Sequence, residues 1–79
     1  MQIRLTRDGR KPRIGMSRIL TAMRSAGQPT ALEGDQLFYL GIDGRGVELE
    51  IIAVPDDKRP GGLAIIHAMP THYRRKEGS

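Results

Sequence analysis

Leu37-Phe38-Tyr39-Leu40-Gly41-Ile42-Asp43-Gly44-Arg45-Gly46-Val47-Glu48-Leu49-Glu50-Ile51-Ile52-Ala53-Val54 is the stretch that decides how this chain folds. It holds two apolar runs separated by turn residues. The first, 37–42, carries Phe38 and Tyr39 and reads as a strand. Asp43-Gly44 signals a hairpin, because tight hairpin turns need positive φ, and Gly46 leaves room for a bulge. In the second run Val47, Leu49 and Ile51 alternate with Glu48 and Glu50. A period of two puts the apolar side chains on one face and both carboxylates on the other. That predicts a half-buried strand with one wet face.

C-terminal to this hairpin, Pro55-Asp56-Asp57-Lys58-Arg59-Pro60-Gly61-Gly62 is a loop by composition. Leu63-Ala64-Ile65-Ile66-His67-Ala68-Met69 follows as the most continuously apolar run, ended by Pro70, which has no N–H for a ladder. It is expected in a central position or against the helix. N-terminal to the hairpin, Met16, Ile19, Leu20 and Met23 stand at i, i+3, i+4 and i+7, one stripe of a helix. Gly15 or Ser17 suits its N-cap, and Gly27 with Pro29 beyond it suits its end. Arg18, Thr21 and Ser25 fall on the opposite, wet face. Leu32 and Glu33-Gly34-Asp35 read as a turn. Ile3 and Leu5 alternate with polar residues, which admits a short edge strand; a flexible arm is the alternative.

These elements predict an α+β fold: one N-terminal helix packed on a three-stranded antiparallel meander, in the order α-β-β-β, with a short N-terminal strand admitted. Residues 1–13 form the basic arm or edge strand, 14–74 a single domain, and 75–79 a tail. A chain of 79 residues sustains one core and only a small stability margin, so a partner or a homodimer is a natural expectation.

The net charge is +4, unevenly distributed. Residues 1–24 hold seven basic and one acidic residue, 25–57 one basic and seven acidic, and 58–79 five basic and one acidic. Basic ends attract phosphate or an acidic protein, and a pair of solvated tails is the plainer reading. There are no cysteines, hence no disulfides or thiolate metal sites, in keeping with a cytoplasmic location. No apolar run approaches the roughly 18–20 residues that cross a bilayer, so no membrane partner is expected.

No sequence motif here specifies a cofactor or a metal. Gly41-Ile42-Asp43-Gly44-Arg45-Gly46 joins two strands and opens no helix, so it reads as a turn and not as a phosphate cradle. His67 and His72 are two ligands where a zinc site wants three or four. His67, in phase with Leu63, Ile65 and Met69, reads either as a half-buried histidine with one hydrogen bond or as a general acid or base. The cluster His72, Tyr73, Arg74 and Arg75 offers what metal-independent RNA cleavage needs: a base for the 2′-hydroxyl, an acid for the leaving oxygen, and cations for the phosphate. An aromatic ring among cations also suits stacking on an unpaired base. Arg4, Arg7, Arg10, Lys11, Arg13 and Arg18 are the candidate nucleic-acid contacts.

The succession of helix, aromatic strand, Gly46-Val47-Glu48-Leu49-Glu50-Ile51-Ile52-Ala53-Val54 and Leu63-Ala64-Ile65-Ile66-His67-Ala68-Met69-Pro70 resembles the RelE/ParE-like toxin superfamily, and most of all its BrnT-type members and related small bacterial domains. The resemblance covers about residues 16–74. It implies a compact helix-plus-sheet fold, ribonuclease activity free or on the ribosome, and a cognate antitoxin covering the basic surface. It also implies an active centre at the end of the last strand, where His67, Tyr73, Arg74 and Arg75 stand. BrnT-like chains usually continue with a further helix and an arginine-containing segment, where this chain has Thr71-His72-Tyr73. The functional expectation is a toxin-like domain acting on RNA. The alternatives are a non-catalytic protein-interaction module and a basic nucleic-acid-binding accessory protein.

Overall fold

A computed structural model of the chain describes residues 2–6 and 14–73. Their elements run β1 (Ile3–Leu5), α1 (Met16–Ala26), β2 (Thr30–Ala31), β3 (Leu37–Ile42), β4 (Glu48–Pro55) and β5 (Leu63–Pro70), and a helical turn follows at 71–73. The strands form a single sheet in the order β1-β5-β4-β3-β2. β1 runs parallel to β5; every other neighbouring pair is antiparallel.

The expected three-stranded meander is therefore corrected to a five-stranded mixed sheet. The meander strands β3, β4 and β5 are joined by a strand at each side. Residues 30–31 pair with Leu37 and Phe38, where the sequence reads only as the approach to a turn. Two exposed residues, one of them alanine, carry no period-two signal. At the other side Ile3–Leu5 pairs with Leu63–Ile65. The last strand is apolar on both faces, so it belongs inside a sheet, and β1 supplies its second neighbour.

Register assigns the faces. Tyr39 pairs with Ile51, Gly41 with Leu49 and Ile51 with Ala68, so these side chains share one face with Ala53 and Ile65. Helix α1 covers that face, burying Ile19, Ala22 and Met23 against Tyr39, Leu49 and Ile51. Met16 and Leu20, the other two members of the predicted stripe, are half-buried. Ala22 takes the central place because the helix crosses β3 at Gly41, and a larger side chain would hold the two backbones apart. Gly27 ends the helix at φ 70°, a conformation that an L-residue adopts only at a cost.

The face predicted to be wet on the helix is corrected in part. Arg18 and Thr21 are half-buried, and the Oγ of exposed Ser25 accepts a 2.6 Å hydrogen bond from the Ile42 N–H at the edge of β3. The reason is the hairpin 43–46, which folds back under the helix. Asp43 Oδ1 accepts from the N–H groups of Arg45 and Val47, and its Oδ2 accepts from Arg18 Nε at 2.6 Å. Burial alone would push the Asp43 carboxyl up. The Val47 amide, the Arg18 guanidinium and the Arg45 amide outweigh it and hold the group below the usual carboxylate range.

The opposite face carries Phe38, Leu40 and Ile42 from β3, and Glu48, Glu50, Ile52 and Val54 from β4. β5 adds His67 and Met69, and β1 adds Arg4. Between Ile52 and Ala53 the register slips, so that Ile66 is one residue more than the partner strand matches. No helix among the described residues is long and apolar enough to cross a membrane.

Candidate functional site

The chemistry on the uncovered face centres on one pair. Glu50 stands on β4 opposite Met69, and His67 stands opposite Ile52 two positions along the same face. The diagonal brings His67 Nε2 to 2.8 Å from Glu50 Oε2. The Glu50 side chain is 2% exposed and that of His67 is 32% exposed. Glu50 therefore departs from the wet position that alternation predicts. It is a buried carboxylate beneath a ring that reaches solvent. A carboxylate only accepts hydrogen bonds, so Nε2–H is the donor of this contact, and in the neutral imidazole the lone pair is then the one on Nδ1. Among the described residues Nδ1 has no hydrogen-bond partner. A buried acceptor on one ring nitrogen and partial exposure of the ring are an arrangement that suits proton transfer.

Beyond Pro70 the chain turns. Thr71 Oγ1 donates to Glu48 Oε1 at 2.8 Å, which fixes the start of the helical turn to β4. That turn carries His72 and Tyr73, whose rings meet edge to face with centroids 4.9 Å apart. Tyr73 is 42% exposed, an aromatic surface open to solvent. The two glutamates of the alternating strand thus serve different partners, Glu50 the histidine and Glu48 the threonine.

Of the residues expected to contact nucleic acid, Arg4 and Arg18 are described, and both are engaged internally. Arg4 Nε and one terminal nitrogen each donate at 3.1 Å to the two oxygens of Asp56, whose side chain is buried. The Arg4 guanidinium, with the Lys58 amide, outweighs burial and holds the Asp56 carboxyl below its ordinary range, and the same bonds raise the pKa of Arg4. Arg18 is bound to Asp43. Both arginines hold loops to the body of the sheet. The remaining candidates Arg7, Arg10, Lys11, Arg13, Arg74 and Arg75 lie outside the described residues. Among the described residues no three or more His, Asp or Glu side chains are grouped closely enough to hold a metal ion.

The sequence signals His67, His72 and Tyr73 but not Glu50 as the partner of His67. Strict alternation marks Glu50 as solvent-facing, and only the register of β4 on β5 brings the two together.

No protein-family model matches the chain, and no match is found among curated proteins or solved structures.

Proposed function

We propose that this chain is a cytoplasmic, toxin-like domain of a bacterial type II toxin–antitoxin system that cleaves RNA without a metal, with His67 as its general base. The observation that carries this reading is the 2.8 Å pair between buried Glu50 and half-exposed His67. His67 Nδ1 takes the proton of a ribose 2′-hydroxyl, and the 2′-oxygen forms its bond to the adjacent phosphorus. The bond from phosphorus to the 5′-oxygen breaks, and that oxygen takes a proton from His72 acting as the general acid. The products are a 2′,3′-cyclic phosphate and a free 5′-hydroxyl. Tyr73 offers a stacking surface for an unpaired base, and the sequence supplies Arg74 and Arg75 beside it as cations for the phosphate. The resemblance to RelE/ParE-like toxins supports the same substrate class and an antitoxin as partner.

Expression of the wild type, His67→Ala and Arg74→Ala/Arg75→Ala in a bacterium tests this. Growth arrest with RNA fragments ending in cyclic phosphate is expected for the wild type and not for either variant. Normal growth and intact RNA at high levels of folded wild-type protein would remove the enzyme reading.

A protein-interaction role is the second reading, and the edge of β3 favours it. Among the described residues β2 pairs with Leu37 and Phe38 and no strand continues along that edge of β3 at Tyr39 and Leu40, the latter 47% exposed. Sedimentation across a concentration series checks the homodimer form: a rising mass supports it and a constant monomer mass excludes it.

A further inference from the structure

A second cluster of charge lies away from the Glu50–His67 pair, at the outer edge of β1. Gln2, Ile3, Arg4 and Arg59 line a cleft there of about 300 Å³. Arg59 comes from the loop between β4 and β5, and one of its terminal nitrogens donates to Gln2 Oε1 at 2.8 Å. Arg4 is held from below by Asp56. Each guanidinium has five N–H donors. The internal bonds engage Nε and one terminal nitrogen of Arg4, and a single terminal nitrogen of Arg59. Both groups therefore keep unengaged donors, already oriented by their anchors.

The backbone adds another donor. The carbonyl of Gln2 accepts from Leu63, and the amide of Thr6 donates to Ile65, so even-numbered residues of β1 face β5. By alternation the Ile3 N–H faces the outer edge, into the same cleft. Nearby charge is Arg4, Lys58 and Arg59 against Asp56 and Asp57, with one Asp57 oxygen 4.0 Å from Arg4. The balance is one positive charge beside two oriented forks, the geometry that receives a tetrahedral oxyanion.

Position relates this cleft to the candidate active centre. Arg4 pairs with Ala64 and shares the uncovered face with His67, three residues farther along β5. Across the bulge at Ile66 the facing positions Val54 and Ile52 are two residues apart, so the offset along the strands is roughly 7 Å, with β1 about 5 Å to the side. Phosphates of one stacked strand stand about 3.4 Å apart along the axis and farther when bases are splayed, so the gap matches a few nucleotides.

We propose that the Gln2–Ile3–Arg4–Arg59 cleft is a phosphate subsite that holds the backbone of a single-stranded RNA a few nucleotides from the bond at His67. The subsite rests on the RNA-directed reading above.

The test is salt-dependent binding of a fluorescent, fully 2′-O-methylated single-stranded oligonucleotide, which has no 2′-hydroxyl to react. The full chain is compared with Arg59→Gln and with Lys58→Gln. Lys58 is an exposed cation of the same loop that does not line the cleft. Losing one phosphate contact lowers the slope of log affinity against log salt by about 0.7 for a single strand. Arg59→Gln is expected to do so and to weaken low-salt binding roughly tenfold, the size of one charge-assisted contact. Lys58→Gln is expected to change both by less. Among the described residues the Arg59 side chain makes one hydrogen bond, exposed, to Gln2, and adds a minor attraction to Asp56, so circular dichroism should match the wild type and melting should change little, whereas Arg4→Gln would unpair buried Asp56.

Equal effects of the two substitutions reduce the cleft to bulk charge and overturn the subsite. Wild-type binding with an unchanged Arg59→Gln variant overturns the subsite and leaves the RNA-directed reading standing. No wild-type binding to any oligonucleotide overturns both. Inorganic phosphate that shifts the Ile3 amide resonance, with no response to the oligonucleotide, overturns the assignment to RNA in favour of a free-phosphate site.

Discussion

The carbonyl oxygen of Ala22 occupies the place where a side chain on Gly41 would begin. A Cβ on Gly41 would overlap that oxygen and lie 2.7 Å from Ser25 Oγ. Helix α1 thus rests on β3 backbone to backbone, and Ser25 uses the closeness to accept the Ile42 N–H. The obstructing atom belongs to the helix main chain, so a rotamer change cannot relieve it. Gly41→Ala is expected to destabilise the fold by at least about 3 kcal/mol, the upper end of overpacking costs. Urea denaturation measures this. A loss below about 1 kcal/mol would mean that the helix lifts freely off the strand.

Asp43 ties the hairpin to the helix through one carboxylate, with two backbone amides on one oxygen and Arg18 on the other. Its substitutions should therefore rank. Asp43→Ala orphans all three donors and should lower the urea midpoint most. Asp43→Asn keeps an oxygen for the amides and should fall between. Arg18→Ala leaves the turn bonds intact and should cost least. An Arg18→Ala loss equal to that of Asp43→Ala would show that the ion pair, and not the turn, holds this corner.

Much of this architecture is legible in the sequence, and its failures are local. Met16, Ile19, Leu20 and Met23 mark the helix, and Asp43-Gly44 with the alternation of 47–51 marks the hairpin, because each pattern is long enough to show its period. Ile3–Leu5 alternates enough to admit the short edge strand that forms, whereas Thr30–Ala31, two residues long, is shorter than any window in which a period can be recognised. Their pairing is a tertiary decision, set by the free edges of β5 and β3. The candidate site divides the same way. His67, His72 and Tyr73 stand out by residue type. Glu50 does not, since its partner lies 17 residues away on another strand. Nor does the sequence reveal that Arg4 and Arg18 face buried aspartates, because burial of Asp43 and Asp56 follows from the loops folding back onto the sheet.

The lowered carboxyls of Asp43 and Asp56 make stability depend on pH with a definite sign. A group whose folded pKa lies below its unfolded one stabilises fully above the unfolded value, about 3.9 for aspartate. That contribution disappears as pH falls through the lower folded value. Wild-type stability from these two groups should be level above about pH 5 and decline below about pH 4. An Asp43→Asn/Asp56→Asn variant should be less stable at neutral pH and show a shallower acid decline. Denaturant midpoints from pH 7 to pH 3 provide the check, and parallel acid limbs would contradict the assignment.

The Glu50–His67 pair makes separate demands on stability and on activity. Removing the imidazole by His67→Ala takes one hydrogen-bonded partner from a buried carboxylate, at an expected cost of about 1–3 kcal/mol. Replacing that carboxylate as well, in His67→Ala/Glu50→Leu, should restore much of the loss, since an apolar side chain of similar volume needs no partner there. The variants Glu50→Leu and His67→Ala with their double form a cycle, whose coupling term should be clearly non-zero. Activity should follow a different order if His67 is the base. His67→Ala should lower kcat on a short RNA by about 10²–10⁴, the range of general-base catalysis, and Glu50→Gln by less, with KM little changed in both. The stabilised double variant should remain as inactive as His67→Ala. Restored stability without restored cleavage separates the histidine's chemistry from its packing, whereas cleavage that rises with stability would leave His67 a structural residue only.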